Sequence, residues 1–552
     1  MAASTINAEL LARMFLAGAQ NLDRKKDWIN ELNVFPVPDG DTGTNMTMTI
    51  MSAVKEVNNL PAIDMAGLCK AISHGSLRGA RGNSGVILSQ LIRGFTKVVK
   101  SADEIDIPMI ADACDRAVET AYKAVIKPKE GTILTVAKGI AEMARKLAAD
   151  DLSLEDYFSA VLDYGNDVLA RTPDMLPVLK EAGVVDSGGQ GLIVVLEGAY
   201  SAMLGKEADL FEDVYALESF DAVPEEEPLR FGYCTEFVIL PSYAMNDDKK
   251  KELHSEMAEL GESLAMIIEA ESIRVHIHTN EPGRVLSCAL VYGPITDVKV
   301  DNINIEHREL LIPDAEKIAR QQAEEWDVYT GPLNKVGFIS VCAGTGFGEI
   351  FKGLNVDYVI EGGQTMNPST EDMLNAIDRV HAENIFIYPN NSNIIMAANQ
   401  ARELVQEKNI VVIPTKTVPQ GITAILSYEP ELSIEENQET MRQMICGVHT
   451  CELTYAVRDT TIDNTDIHQG DIMAVGDTGL LQVGKDIHDV AVSSVSKMMF
   501  DGAELISLYY GAEYSEENAQ RLAQELAGQY PDCDVEVEYG GQPVYYCIIS
   551  VE

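Results

Sequence analysis

Basic residues are scarce in this chain. Lysine and arginine number 42 among 552 residues, against 87 aspartates and glutamates, and the formal charge is -45. So acidic a surface repels phosphodiester backbones and anionic lipid, which excludes nucleic acid and membrane insertion as modes of partnership. It still admits a nucleotide held through metal ions, because the ions bring the positive charge. Nine cysteines occur without CxxC spacing and in odd number, which argues against a disulfide framework and for a reducing cytoplasm. No run approaches about 18 uninterrupted apolar residues, so no membrane-spanning helix is expected. The opening "MAASTINAELLARMF" has no basic segment followed by an apolar one, so no signal peptide is expected. Also missing are G-x-x-x-x-G-K-[ST] and the H-R-D-L and D-F-G set, which excludes a P-loop protein and a protein kinase.

What is present describes a globular multidomain chain, 46% apolar and 23% charged. Its length predicts about two to four cores. Over residues 1–203 apolar positions recur at three and four, as in "NAELLARMFLAGAQNL", "IADACDRAVETAYKAV" and "GTILTVAKGIAEMARKLA", predicting an all-α domain. Glycine-rich turns, "PDGDTGTN", "SLRGARGNSG", "KPKEGT" and "VVDSGGQG", separate these helices, and a rigid helical frame that gathers such loops at one end is where a site is built. Residues 204–230 carry nine acids and few apolar residues and read as an acidic linker. Residues 231–312 read as a central small α/β domain, with "YCTEFVIL", "SIRVHIHTN" and "ITDVKVDNI" as strands and "DKKKELHSEMAELGESL" and "GRVLSCALVYG" as helices. A connector containing Trp326 follows. From residue 333 to 552, short buried-strand runs ("KVGFISVCAG", "DYVIEGG", "NIFIYPN", "NIVVIPTK") alternate with helices, predicting a parallel α/β sheet and then an α+β half.

The loop "LNVFPVPDGDTGTNM" concentrates chemistry. Asp39 and Asp41 flank one glycine, with Thr42, Thr44 and Asn45 beside them, a dense set of hard oxygen ligands that suits Mg²⁺ and leaves positions open for phosphate oxygens. The same D-G-D also serves as an Asx-turn that caps the following helix. The run of eleven constrained or polar residues from Pro36 to Met46 favours the ligand reading. In "HGSLRGARGNSGVILSQ", Gly79, Gly82 and Gly85 surround Asn83 and Ser84 just ahead of a helix, the arrangement of a phosphate cradle.

"PVPDGDTGTNM", "ARGNSGVILSQ", "KPKEGTIL" and "VVDSGGQGL", in that order, resemble the nucleotide-binding domain of the dihydroxyacetone kinase family (DhaL type). The whole layout resembles the FakA family of fatty acid kinases over essentially the full chain. The resemblance implies an N-terminal DhaL-type helical barrel whose loops at one end hold ATP through two Mg²⁺ ions, and a C-terminal DegV-like α/β domain. It implies that Asp39 and Asp41 are Mg²⁺ ligands, that Thr44 and Asn45 assist at the phosphates, that Asn83, Ser84 and Gly85 face them, and that Asp186 closes the pocket. In dihydroxyacetone kinases a further aspartate precedes the D-G-D; its nearest counterpart as a metal ligand here is Asn33, with one extra residue in the loop.

In "VHIHTN", His276 and His278 fall on one face of a strand, a spacing that serves either a Zn²⁺ site or an exposed polar surface. Cys234 alone reads as a small buried hydrophobe. The family resemblance implies a zinc site of one cysteine and two histidines, with Cys234, His276 and His278 as its ligands. "SVCAGTGFGEIF" mimics a dinucleotide fingerprint, but its third glycine is misplaced and no Rossmann site is expected. "GGQTMNPST" is similar to a DegV signature. Its Asn367, Pro368 and Ser369 serve either docking or the start of the next helix.

The resemblance implies a dimeric cytoplasmic kinase that moves the γ-phosphoryl group of ATP to a fatty acid presented by a DegV-like fatty-acid-binding carrier protein, giving an acyl phosphate for phospholipid synthesis. No lipid tunnel is evident in the sequence, which agrees with a carrier. Two alternatives stand beside it: a kinase for a small hydroxylated substrate such as dihydroxyacetone, and a non-enzymatic ATP-sensing scaffold.

Overall fold

Short polar side chains start the helices of the N-terminal domain. Asn7, Asp64, Asp106, Ser153 and Asp186 each accept a backbone N–H from the first turn that follows, satisfying donors a helix start otherwise leaves open. The helices are α1 (Ala8–Arg24), α2 (Lys26–Glu31), α3 (Thr42–Asn58), α4 (Met65–Arg78), α5 (Gly82–Val99), α6 (Ile107–Ala124), α7 (Ile133–Leu147), α8 (Leu154–Ala170), α9 (Thr172–Met175), α10 (Pro177–Ala182) and α11 (Ser187–Met203). A two-residue pairing of β1 (Ile6–Asn7) with β2 (Glu104–Ile105) closes one end.

The computed structural model describes residues 5–34, 40–125, 127–206, 233–239, 262–268, 273–279, 282–302, 333–363, 367–456, 460–462, 465–477 and 479–552, with residues 241, 249, 253, 257 and 260. The acidic segment and the Trp326 connector lie outside these. The chain forms two compact units, residues 216–331 as one, residues 1–215 together with 332–552 as the other.

Helix interiors carry glycine where neighbours come closest. A Cβ on Gly18 would stand 2.7 Å from the Val195 carbonyl oxygen, one on Gly198 2.5 Å from that of Ala17, so α1 and α11 nearly touch backbones. Leu22, Ile29, Met46, Ile50 and Tyr157 are fully buried between the helices, and the Tyr157 hydroxyl donates to the Ala144 carbonyl at 3.0 Å. This packing leaves an apolar cavity of about 240 Å³, lined by Leu88, Leu91, Phe95, Ile140 and Leu192 among others. The sequence shows no apolar tunnel, because residues that line a void have the same periodicity as residues that fill a core. No helix among the described residues is long and apolar enough to cross a membrane.

In the separate unit, β3 (Tyr233–Ile239), β4 (Glu262–Ile268), β5 (Ile273–Thr279) and β6 (Ile295–Asn302) form an antiparallel sheet in the order β4-β5-β3-β6. Helical Leu253 and Met257 and the helix Pro282–Tyr292 supply buried side chains to its core. The order is that of a β-α-β-β-α-β split unit. Strand β4 was not expected; its start, "ESL", reads equally well as the end of a helix because a continuous apolar run follows it.

The C-terminal domain holds two sheets. Strands β7 (Asn334–Cys342), β8 (Tyr358–Glu361), β9 (Ala382–Tyr388) and β10 (Asn409–Val412) are parallel, ordered β10-β9-β7-β8, with near-continuous apolar runs as expected of strands covered on both faces. The second sheet joins β11 (His449–Tyr455), β14 (Ile472–Gly476), β15 (Gly479–Gly484), β16 (Leu505–Tyr510), β17 (Asp534–Tyr539) and β18 (Cys547–Val551) in the order β15-β14-β11-β18-β16-β17. Its one parallel pair, β16 and β17, is bridged by the helix Glu516–Gln529, as a parallel crossover requires. A hairpin of β12 (Thr460–Ile462) and β13 (Thr465–Ile467) projects from this sheet and packs on α10. The glycines of "SVCAGTGFGEIF" serve packing: a Cβ on Gly346 would collide with the Tyr539 carbonyl, and the Phe347 N–H donates to the Gly540 carbonyl at 3.0 Å.

Candidate active site

Four helix N-termini converge at one end of the N-terminal domain. Thr42 opens α3, Ser84 lies in the first turn of α5 and Ser187 opens α11. Both serine hydroxyls approach the Thr42 hydroxyl, Ser187 at 3.2 Å and Ser84 at 3.5 Å. Asp186 lies beside the start of α7, accepting N–H groups from Gly189 (2.7 Å) and from Ile133. Each terminus contributes open N–H groups and about half a positive charge, and together they make an anion site.

Asp41 occupies the N-cap position of α3, yet its side chain makes no capping hydrogen bond. The Asx-turn alternative therefore does not describe what its carboxylate does. That carboxylate accepts instead from the Asn367 side-chain amide, 2.5 Å away in the C-terminal domain. Asp39 lies outside the described residues. Asn33 is buried just after α2, its N–H donating to the Asn30 carbonyl at 3.1 Å.

Thr44 is braced twice by Asn30, whose amide nitrogen donates to the Thr44 hydroxyl (3.0 Å) and whose oxygen accepts the Thr44 N–H (3.1 Å). Sequence reasoning missed Asn30, which sits in an ordinary helical pattern with nothing to mark its partner. Asn45 is buried, and its carbonyl accepts from the Thr49 hydroxyl at 2.6 Å. The Asn45 amide lies over Gly82, where an added Cβ would stand 2.6 Å from Nδ2. Gly82 has φ +57°, a left-handed conformation that costs other residues strain. At Gly85 a Cβ would collide with the Thr49 hydroxyl, so glycine there lets α5 close on α3.

Asn83 turns outward from this cluster. Its amide donates to the Asn393 side chain of the C-terminal domain at 2.8 Å. Asp186 is wholly buried and caps α11, and burial pushes its carboxyl up to about 7, against the pull of the two N–H groups. The structure thus gathers Asp41, Thr44, Asn45, Ser84, Gly85 and Asp186 at one end of the helices and directs the Asn83 side chain toward the other domain.

The C-terminal domain meets this end along a polar seam. The Arg81 guanidinium donates to the Asn367 carbonyl (2.8 Å), Arg78 pairs with Glu371 (2.9 Å), and the Thr370 N–H donates to the Ala80 carbonyl (3.1 Å). Ser369 also caps the helix Thr370–Arg379 in a capping box with Asp372. Both readings of the "NPS" segment, helix start and docking element, are therefore realised at once. Sequence reasoning did not assign Arg78, Arg81 or Gln400 to this seam, because nothing local marks a contact some three hundred residues away.

A second candidate centre lies in the separate unit. Backbone register sets Cys234 directly opposite His278, and His276 two positions along the same strand. The alternating positions 235, 237, 275 and 277 are buried, so the three candidate ligands occupy the other face of the sheet. On its second side Cys234 is registered with Asp301. The side chains of these residues lie outside the described ones. Among the described residues no cluster of three His, Cys, Asp or Glu groups is placed to hold a metal.

A DAK2 domain model matches residues 36–201, a FakA-like (fatty acid kinase) middle-domain model residues 230–310, and a FakA-like C-terminal model residues 337–552. Protein YloV of Bacillus subtilis is 40% identical over 562 residues, covering 100% of both chains. An uncharacterized protein of Staphylococcus aureus is 39% identical over 556 residues, again with 100% of both covered. Among solved structures, the dihydroxyacetone kinase of C. freundii in complex with AMP-PNP and Mg²⁺ is 18% identical, with TM-score 0.29, over 37% of this chain and 36% of that one. The Streptococcus pneumoniae Fatty Acid Kinase B3 protein loaded with linoleic acid is 14% identical, with TM-score 0.29, over 40% of this chain and 99% of that one. Full-length identity and three consecutive domain matches agree: the chain belongs to the FakA-like family of fatty acid kinases.

Proposed function

We propose that this chain is an ATP-dependent kinase of the cytoplasm. It transfers the γ-phosphoryl group to the carboxylate of a fatty acid delivered on a separate DegV-like fatty-acid-binding protein, yielding an acyl phosphate for phospholipid synthesis. The observation that carries the reading is the convergence of the α3, α5, α7 and α11 N-termini beside an Asp41 carboxylate that caps nothing. Family membership supports the acyl acceptor.

The residues present fit Mg²⁺–ATP. A carboxylate spared from capping, a buried amide oxygen on Asn367 with no partner among the described residues, and a Gly82 cradle that a Cβ would fill are what a metal-bound polyphosphate needs. Asp41, with Asp39 and Asn33, would hold the two metal ions. Bound Mg²⁺ supplies charge neutralisation on the phosphates. Thr44, fixed by Asn30, and Asn45, fixed over Gly82, orient the phosphates, while Ser84 and the open N–H groups stabilise charge on the transferred group. Asp186 holds α11 and α7 together at the pocket's rim. A carboxylate acceptor arrives deprotonated, so the reaction needs no general base.

In the separate unit, Cys234, His276 and His278 fit Zn²⁺ by register, and we assign them as its ligands. The active form is a homodimer.

The test is ADP release with fatty acid bound to its carrier, comparing wild type with Asp41→Ala. Carrier-dependent turnover lost in the variant is expected. Turnover with dihydroxyacetone instead, or tight Mg²⁺–ATP binding with no turnover on any acyl carrier, would replace this reading by a small-molecule kinase or a nucleotide-sensing scaffold.

A further inference from the structure

Asn367 is an asparagine of the C-terminal domain, 2% exposed, that reaches into the N-terminal domain's site. Its Nδ2 donates to Asp41 Oδ2 at 2.5 Å across 326 residues of sequence. Its main-chain carbonyl is held by Arg81 at 2.8 Å, which fixes the residue at the seam. Its side-chain oxygen Oδ1 is buried and meets no donor among the described residues.

A buried amide oxygen left without a donor is costly, and native structures rarely keep one without a use. Here it stands on the same amide that grips Asp41, with the Asn45 amide and the Gly82 turn close by. Hydrogen bonds to a metal-holding carboxylate orient it and tune its affinity. A neutral carbonyl oxygen beside that carboxylate is the kind of hard ligand a divalent ion takes, directly or through water.

We propose that Asn367 is a positioning residue of the nucleotide site, delivered by the C-terminal domain. Its amide N–H holds the Asp41 carboxylate, and its buried oxygen faces the divalent cation of the nucleotide. Metal–nucleotide binding and docking of the C-terminal domain then stabilise each other. The inference rests on the reading of Asp41 as a metal anchor. The rest of the seam favours such coupling, because the segment that carries Gly82 is shared. Arg78, Ala80, Arg81 and Asn83 all bond to the C-terminal domain within five residues of that glycine. By reciprocity, whatever nucleotide gains from the docked domain, docking gains from nucleotide.

Calorimetry on the full chain with AMP-PNP, at Mg²⁺ concentrations from zero to saturation, tests this. Asn367→Ala is expected to raise the Mg²⁺ concentration for half-saturation at least about tenfold, leaving metal-free nucleotide affinity within about twofold. Arg78→Ala, which loosens the seam without touching Asp41, is expected to keep the wild-type Mg²⁺ midpoint. Asn367→Asp places a second carboxylate beside Asp41, so Mg²⁺ alone should raise its melting temperature more than that of wild type. This second variant answers the question even if the alanine variant folds poorly. In wild type, Mg²⁺–AMP-PNP should slow hydrogen exchange at the Thr370 amide, which bonds across the seam.

A wild-type Mg²⁺ midpoint in Asn367→Ala, tighter binding in that variant, or an Arg78→Ala shift as large as that of Asn367→Ala would overturn the proposal and leave the kinase reading standing. Failure of the wild-type protein to bind Mg²⁺–AMP-PNP would sink the kinase reading and this inference with it.

Discussion

Gln400 lies buried in the seam between the terminal domains, and its side-chain oxygen accepts the Gln90 amide at 2.8 Å across 310 residues of sequence. Its own amide donates to the Leu77 carbonyl (2.8 Å) and the Thr370 hydroxyl (3.0 Å). One side chain thereby satisfies groups on α4, α5 and the helix Thr370–Arg379.

Removing it strands the partners. Gln400→Ala is expected to destabilise the docked arrangement by about 1–3 kcal/mol, the cost of buried polar groups left unpaired. Thermal unfolding of the full chain, with protease sensitivity of the 395–404 helix as a second probe, checks this. Wild-type behaviour in both would mean water replaces the amide without loss.

Gly82→Ala tests the cradle. The left-handed backbone alone costs a Cβ-bearing residue about 1–2 kcal/mol, and the new methyl would press on the Asn45 amide at 2.6 Å. AMP-PNP binding should weaken about tenfold or more. Gly183→Ala is the control: φ is +66° there, with nothing within 4 Å of an added Cβ. It should lose stability by a similar backbone term and keep nucleotide affinity.

Asp186 predicts a pH dependence. Burial raises its folded pKa to about 7 from an ordinary value of 3.8, so the folded state binds the proton more tightly than the unfolded state does. The associated stability is fully present below about pH 4 and is lost as pH rises through about 7. Three units correspond to on the order of 4 kcal/mol at most. Asp186→Asn keeps an acceptor for the Gly189 N–H and removes the buried charge. Its melting temperature should exceed that of wild type at pH 8, and the two should converge near pH 5. A difference independent of pH would refute the titration.

Zinc is tested by content. Cys234→Ser and His278→Ala, opposite each other in register, should each lose bound zinc measured by plasma mass spectrometry on purified protein. Retention of full zinc in both variants would place the metal elsewhere.

Where local pattern decides, the fold was legible. The threefold and fourfold spacing of α1, α6 and α7 and the apolar runs of β7, β9 and β10 needed no distant partner to be read. The strand at 262–268 was not, since a continuous apolar run satisfies helix and strand alike. Nor were the second sheet's β11, β14 and β15 or the helix Ile487–Met498 foreseen. In the candidate site, Asp41 and the Gly82 turn announce themselves by composition. Asn30 and Asn367 do not, because an asparagine that grips something distant looks like any asparagine at a helix edge. The barrel's cavity was invisible for a similar reason: the apolar positions around it follow the pattern of a filled core.

The seam also has a consequence for synthesis. The Asp41 loop leaves the ribosome 326 residues before the Asn367 that grips it. At about 5–20 residues per second that interval is roughly a quarter of a minute to a minute. Through it the nascent helical domain, though able to pack its own core, carries Arg78, Arg81, Asn83 and Gln90 with no seam to enter. The cell must tolerate this polar, half-finished face on every copy it makes. Nucleotide arriving early would find the loop before its last amide has been translated.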